Sequence, residues 1–207
     1  MGISLIPNGE FVTINEHKIH IYRQGNKNNP KLVFMSGLEA IRWKQKYPDE
    51  VRAMIGLDMA TPQTYKEWSN EEIDKRINMM KRIKKIKSLG LLSWYPLNKQ
   101  GLNGTERKQQ RLLWKRNGMN DCFIEEAKAV LNNAIIVEES GGIDCPTLLF
   151  VSNGKQVSPK WLEHQREFAK QMKAELVYLN CGHYIHYFKS DEMYQVITEF
   201  IDALYGK

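Results

Sequence analysis

No stretch of this chain is apolar for the length of a membrane-crossing helix, and cysteine is scarce. The longest hydrophobic runs cover only a handful of residues, far short of the roughly 20 that a transmembrane helix needs. Three cysteines, Cys122, Cys145 and Cys181, form an odd and scattered set, which excludes a disulfide framework as the basis of stability. The opening MGISLIPNGE has neither the basic region nor the long apolar segment of a secretory signal, and Ile6 stands where a myristoylation motif wants Ser or Thr. The compartment expected from these absences is the cytoplasm. What remains is a composition of 42% hydrophobic and 26% charged residues, that of a folded globular chain, and 207 residues suffice for one domain with a sizeable core.

Periodicity places the elements. Glu10–Glu16 and Lys18–Arg23 alternate apolar and polar residues and read as a hairpin turning near Asn15-Glu16-His17. Lys31–Met35 is a short apolar run suited to a buried strand, followed at Ser36-Gly37 by small residues fit for a tight strand-to-helix turn. The helix that follows should stop near Tyr47, because Pro48 biases its predecessor away from the helical region. Val51–Met59 then resumes as a strand. Ser69-Asn70, with acids in the next turn, starts a helix carried by Ile73, Ile77, Met80, Ile83 and Ile86. Further helices are expected at Thr105–Arg116 and Asp121–Asn132. Strands at Cys145–Val151 and Glu175–Leu179 then alternate with helices at Pro159–Lys173 and Asp191–Tyr205. Strand-helix alternation predicts parallel strands joined by right-handed crossovers, with ligands outside their carboxyl ends. Ser36, Asp58 and the loop 180–186 all fall at such ends.

Two clusters carry candidate chemistry. Cys181-Gly182-His183-Tyr184 puts a histidine between the last strand and the last helix, and a histidine can take and return a proton near neutral pH. With Asp58 to orient it and Ser36 as nucleophile, it would complete an acyl-transfer triad. Packing or surface roles for the same His and Asp are the alternatives. Cys181, His183 and His186 are also metal-ligating residue types, although no fourth ligand has a matching local spacing. The second cluster is a helix face with seven basic residues from Lys75 to Lys87, flanked by Trp68 and Trp94, in a chain of net charge +6 and pI near 9.1. It is either a solvated face over a pocket or a surface for an anionic membrane or polyanion.

The order Ser36, Asp58, His183 and the Gly182-His183 dipeptide resemble the α/β-hydrolase superfamily, whose triad runs Ser, Asp/Glu, His. The resemblance implies a mostly parallel sheet preceded by antiparallel strands, a core of residues 1–63 and 142–207, and a helical cap of residues 64–141. It implies hydrolysis of a small ester or amide, with no cofactor, no metal and no specific nucleic acid. The chain departs from the family at the nucleophile. The family's elbow reads G-x-S-x-G, whereas Phe34 and Leu38 flank Ser36. Aligned instead on Met35-Ser36-Gly37, Phe34 falls where the nucleophile belongs. In that registration the chain passes from the family's third strand directly into the helix after the elbow and lacks about two βα units, on the order of 60 residues. An intact but divergent hydrolase using Ser36, and a small complete α/β protein, are the other readings. A deletion would expose strand edges and favour oligomers or aggregation.

Overall fold

The computed structural model describes residues 10–14, 17–21, 37–90, 97 and 102–206, with side chains described from 37 onward. The chain divides into two units, Met1–Val33 and Phe34–Lys207. In the first, β1 (Glu10–Ile14) and β2 (His17–Ile21) pair antiparallel, Glu10 opposite Ile21 and Ile14 opposite His17. Lys31–Met35 and Ser36 lie outside the described residues.

The second unit is α/β. Its sheet is built from β3 (Met54–Leu57), β4 (Thr147–Val151) and β5 (Glu175–Tyr178), all parallel, in the order β3-β4-β5. As the central strand, β4 is buried along its whole length, which is why Thr147-Leu-Leu-Phe-Val is continuous rather than alternating. Its two faces root two cores. Leu149 and Val151 pack with Leu38, Ile41, Met54, Trp161 and Phe168; on the other side Leu148 and Phe150 pack with Leu179, Ile185 and Met193.

Helix α1 (Gly37–Lys46) stops where Pro48 requires. The buried Lys44 closes the following turn, its ammonium donating to the carbonyls of Pro48 (2.6 Å) and Val51 (2.9 Å). At the other end of α1 the backbone runs so close to the segment after β3 that a Cβ on Gly37 would stand 2.3 Å from the Ala60 carbonyl oxygen. Only glycine fits there.

Between β3 and β4 the described residues form helices and no strand: α2 (Pro62–Lys66), α3 (Asn70–Ser88), α4 (Gly104–Asn117) and α5 (Asp121–Glu139). Ser69 and Glu72 close a reciprocal capping box at the start of α3, Ser69 N–H donating to Glu72 Oε2 at 2.8 Å and Glu72 N–H to Ser69 Oγ at 3.2 Å. A third, small core joins α3 to the outer half of α5 through Ile73, Ile77 and Ile124. The sequence spacing places the end of α5 at Asn132, but the helix runs seven residues further because Ala134 and Val137 are buried in the main core. Likewise the strand expected over 51–59 is reduced to Met54–Leu57, since Asp58 adopts a left-handed backbone with φ of 50°.

After β4, α6 (Trp161–Met172) crosses back to β5, and the chain ends in a one-turn α7 (Ile185–Phe188) and α8 (Ser190–Tyr205). The start of α6 is latched to the end of α2. Glu67 accepts from Lys160 Nζ at 2.8 Å and from the buried His164 Nε2 at 3.1 Å.

Two outcomes test this packing. Gly37→Ala should destabilise the protein by about 1–3 kcal/mol in urea unfolding, because the added methyl meets backbone rather than a movable side chain. The Lys160 hydrogen bond, aided by His164, holds the Glu67 carboxyl below its ordinary range. Its contribution is therefore present above a pH of about 4.3 and is lost as pH falls through the depressed folded value. Glu67→Gln should lower stability in the neutral region and flatten the acid limb, so that the two profiles converge at low pH.

Candidate functional site

The left-handed turn at Asp58 aims its carboxylate across the carboxyl edge of the sheet. The backbone stays in the ladder as it turns, Asp58 N–H donating to the Phe150 carbonyl at 2.7 Å. Asp tolerates this conformation better than most residues. Three donors from three separate segments converge on the side chain. Oδ1 accepts from Ser152 N–H (2.8 Å), just past β4, and from Trp161 Nε1–H (2.7 Å), at the start of α6. Oδ2 meets His183 Nδ1 at 2.7 Å. A buried carboxylate can only accept, so His183 donates from Nδ1 and Nε2 is the nitrogen left for other work.

Burial is unequal across the pair. The Asp58 side chain is fully buried, while 39% of the His183 side chain is exposed. His183 is held at two further points. Trp161 meets its ring edge to face, ring centroids 5.9 Å apart at 89°, and Gln156 Oε1 accepts from its backbone N–H at 3.1 Å. A Cβ at residue 182 would lie 2.6 Å from that same Gln156 oxygen, so the glycine of the Gly-His dipeptide makes room for the amide that fixes the loop. Asn153 N–H donates to the Cys181 carbonyl at 3.1 Å, tying the loops after β4 and β5 together.

Of the three residues singled out in the sequence, Asp58 and His183 are thus brought into direct contact, and Ser36 lies outside the described residues. Pattern reading missed Ser152, Gln156 and Trp161. The signal for Trp161 was a large aromatic with one N–H donor at a helix start on the carboxyl edge. Ser152 acts through its backbone and offers no such signal. No three His, Cys, Asp or Glu side chains converge to hold a metal among the described residues. Cys181 and His186 therefore do not join His183 in a metal site. Burial, reinforced by the negative charge of Asp58, pushes the Cys181 thiol up and keeps the sulfur protonated.

No family model matches the chain. Over 200 residues it is 24% identical to the uncharacterized protein YbdG of Bacillus subtilis (strain 168), a match taking in 87% of this chain and 60% of YbdG. Among solved structures it is similar to DBJA, at 17% identity and a TM-score of 0.49, over 82% of this chain and 66% of that one. It is similar too to a loop variant of the haloalkane dehalogenase DbeA-M1 from Bradyrhizobium elkanii, at 17% identity and a TM-score of 0.47, over 82% and 65%. These solved structures are α/β-hydrolase-fold proteins. This chain spans less than two thirds of the length of each protein it matches here. Among the described residues, no helix is long and apolar enough to cross a membrane.

Asp58→Ala should leave three donors facing an apolar void and cost about 3–5 kcal/mol, whereas His183→Ala opens the carboxylate to water and should cost only about 1–2 kcal/mol. Urea unfolding of both variants checks the order. The reverse order would mean that Asp58 does not organise this edge.

Proposed function

We propose that this chain is a member of the α/β-hydrolase superfamily of the serine-hydrolase type, with its acid-base pair in place and its acyl transfer impaired at the nucleophile. The observation carrying this reading is the Asp58–His183 hydrogen bond at the carboxyl edge of a parallel sheet. In such a pair the buried aspartate fixes the imidazole tautomer and stabilises the imidazolium formed when Nε2 takes a proton. The substrate class is a small ester or amide. A competent enzyme would form a bond from a serine oxygen to the carbonyl carbon, pass the serine proton to His183 and return it to the leaving group.

The impairment is argued from the glycine of the elbow. In G-x-S-x-G the second glycine, two residues after the nucleophile, permits close helix-strand approach. At the start of α1 the position with no room for a Cβ is Gly37, one residue after Ser36. Counting back two residues from Gly37 reaches Met35, and the Met-Ser-Gly alignment reaches Phe34. Neither can attack a carbonyl. The same registration supports the absence of about two βα units between the family's third strand and α1. Residues 64–141 correspond on this reading to the cap.

A fluorophosphonate probe separates the alternatives. Folded wild-type protein should show no stoichiometric labelling and no ester turnover above the rate in buffer. Labelling that vanishes in both Ser36→Ala and His183→Ala would establish Ser36 as a working nucleophile and overturn the impairment.

A further inference from the structure

Positive charge is not spread over this protein. Residues 70–117 hold thirteen Lys and Arg against four Asp and Glu, a net +9, and since the whole chain carries +6 the remainder is net −3. Helix α3 shows how that charge is arranged. Its inner stripe, Ile73, Ile77, Met80, Lys84 and Lys87, packs toward α5: the two isoleucines are buried in the small core, Lys84 pairs with Asp121, and Lys87 donates to the Gly118 carbonyl. The opposite stripe is Lys75, Met79, Arg82, Ile86 and Leu89, at spacings of four and three, so it forms one line along the helix.

Three of the five positions of that outer stripe are large apolar residues where a solvated face should be polar. Met79 is 53% exposed, Ile86 41% and Leu89 65%. Arg82 lies within the stripe, and Lys85 and Lys81 run along one flank of it, lining a groove with Asp121 and Glu125 of α5; none of the three has a carboxylate within ion-pair distance among the described residues. The neighbouring α4 buries none of its residues and repeats the combination, with Leu112 and Leu113 exposed between Lys108, Lys115 and Arg116.

We propose that the outer face of α3, with α4 beside it in sequence, docks on an anionic lipid surface. Charge complementarity and shape select the occupant. A second copy meeting it with the same face would set Lys and Arg against Lys and Arg. Nucleic acid would use the cations but gives aliphatic side chains nothing to stack on. A helix with exposed aliphatic side chains beside a row of Lys and Arg matches a bilayer interface, where the apolar atoms enter the acyl boundary and the long cationic side chains reach phosphate. The proposal is independent of the hydrolytic reading, since none of these residues belongs to the Asp58–His183 edge.

Co-sedimentation of the full chain with phosphatidylcholine vesicles, with and without phosphatidylserine, tests it. Binding should require phosphatidylserine, weaken as salt rises, and fall about tenfold or more in the double variant Lys81→Glu/Lys85→Glu. Ile86→Asp and Leu89→Asp should abolish the part of the binding that survives high salt, with circular dichroism unchanged. Equal binding to both vesicle types, or none by folded protein, would overturn the proposal. So would RNA binding tighter than vesicle binding and indifferent to Ile86→Asp, or a dimer dispersed by Leu89→Asp.

Discussion

A carboxylate sealed away from water must satisfy its lone pairs from the protein or give up its charge, and Asp58 satisfies them from three directions. The donors come from the two ends of the connection between β4 and α6, at Ser152 and Trp161, and from the loop after β5. The three-stranded sheet sets the strand ends side by side, but the shared acceptor fixes how the connections leave it. Trp161 must point at the sheet edge rather than lie along its own helix, Ser152 must present its N–H, and His183 must turn Nδ1 inward. The unusual φ of Asp58 is the local cost of aiming one side chain at all three.

Much of this was legible from residue pattern. The strands β3, β4 and β5 and the helices α1, α3, α4, α6 and α8 follow from apolar periodicity, the stop signal at Pro48 and the cap at Ser69, and the meeting of Asp58 with His183 is what the family resemblance implies for residues at two carboxyl strand ends. Element ends were less legible, because they are decided by packing. Nothing local distinguishes Asn132 from Ala134, and only the main core beneath Val137 keeps α5 helical to Glu139. The one-turn helices α2 and α7 have no periodicity long enough to read. Gln156 was invisible for another reason: its importance lies in an atom that the missing side chain of Gly182 admits.

The two regions described above use opposite physics. At the sheet edge, a single charge is buried and every partner is directed, so the arrangement is specific and intolerant of change. On α3 and α4, many charges of one sign stay in water with little directed pairing, so the field is diffuse and additive. Altering one residue at the edge should be felt at once, whereas the outer helices respond to the sum of their charges.

Helix α5 belongs to two cores at once. Its inner half, through Ala134 and Val137, is embedded beneath the sheet, and its outer half, through Ile124 and Leu131, carries α3. Mechanically it is a cantilever, a stiff rod of 19 residues clamped at one end. Any load taken up by the outer helices is borne as bending along that rod and meets the main core at the clamp. The clamp shares its core with Met59, the residue after Asp58, and with Trp161, which donates to Asp58, so such a load would end beside the acid-base pair.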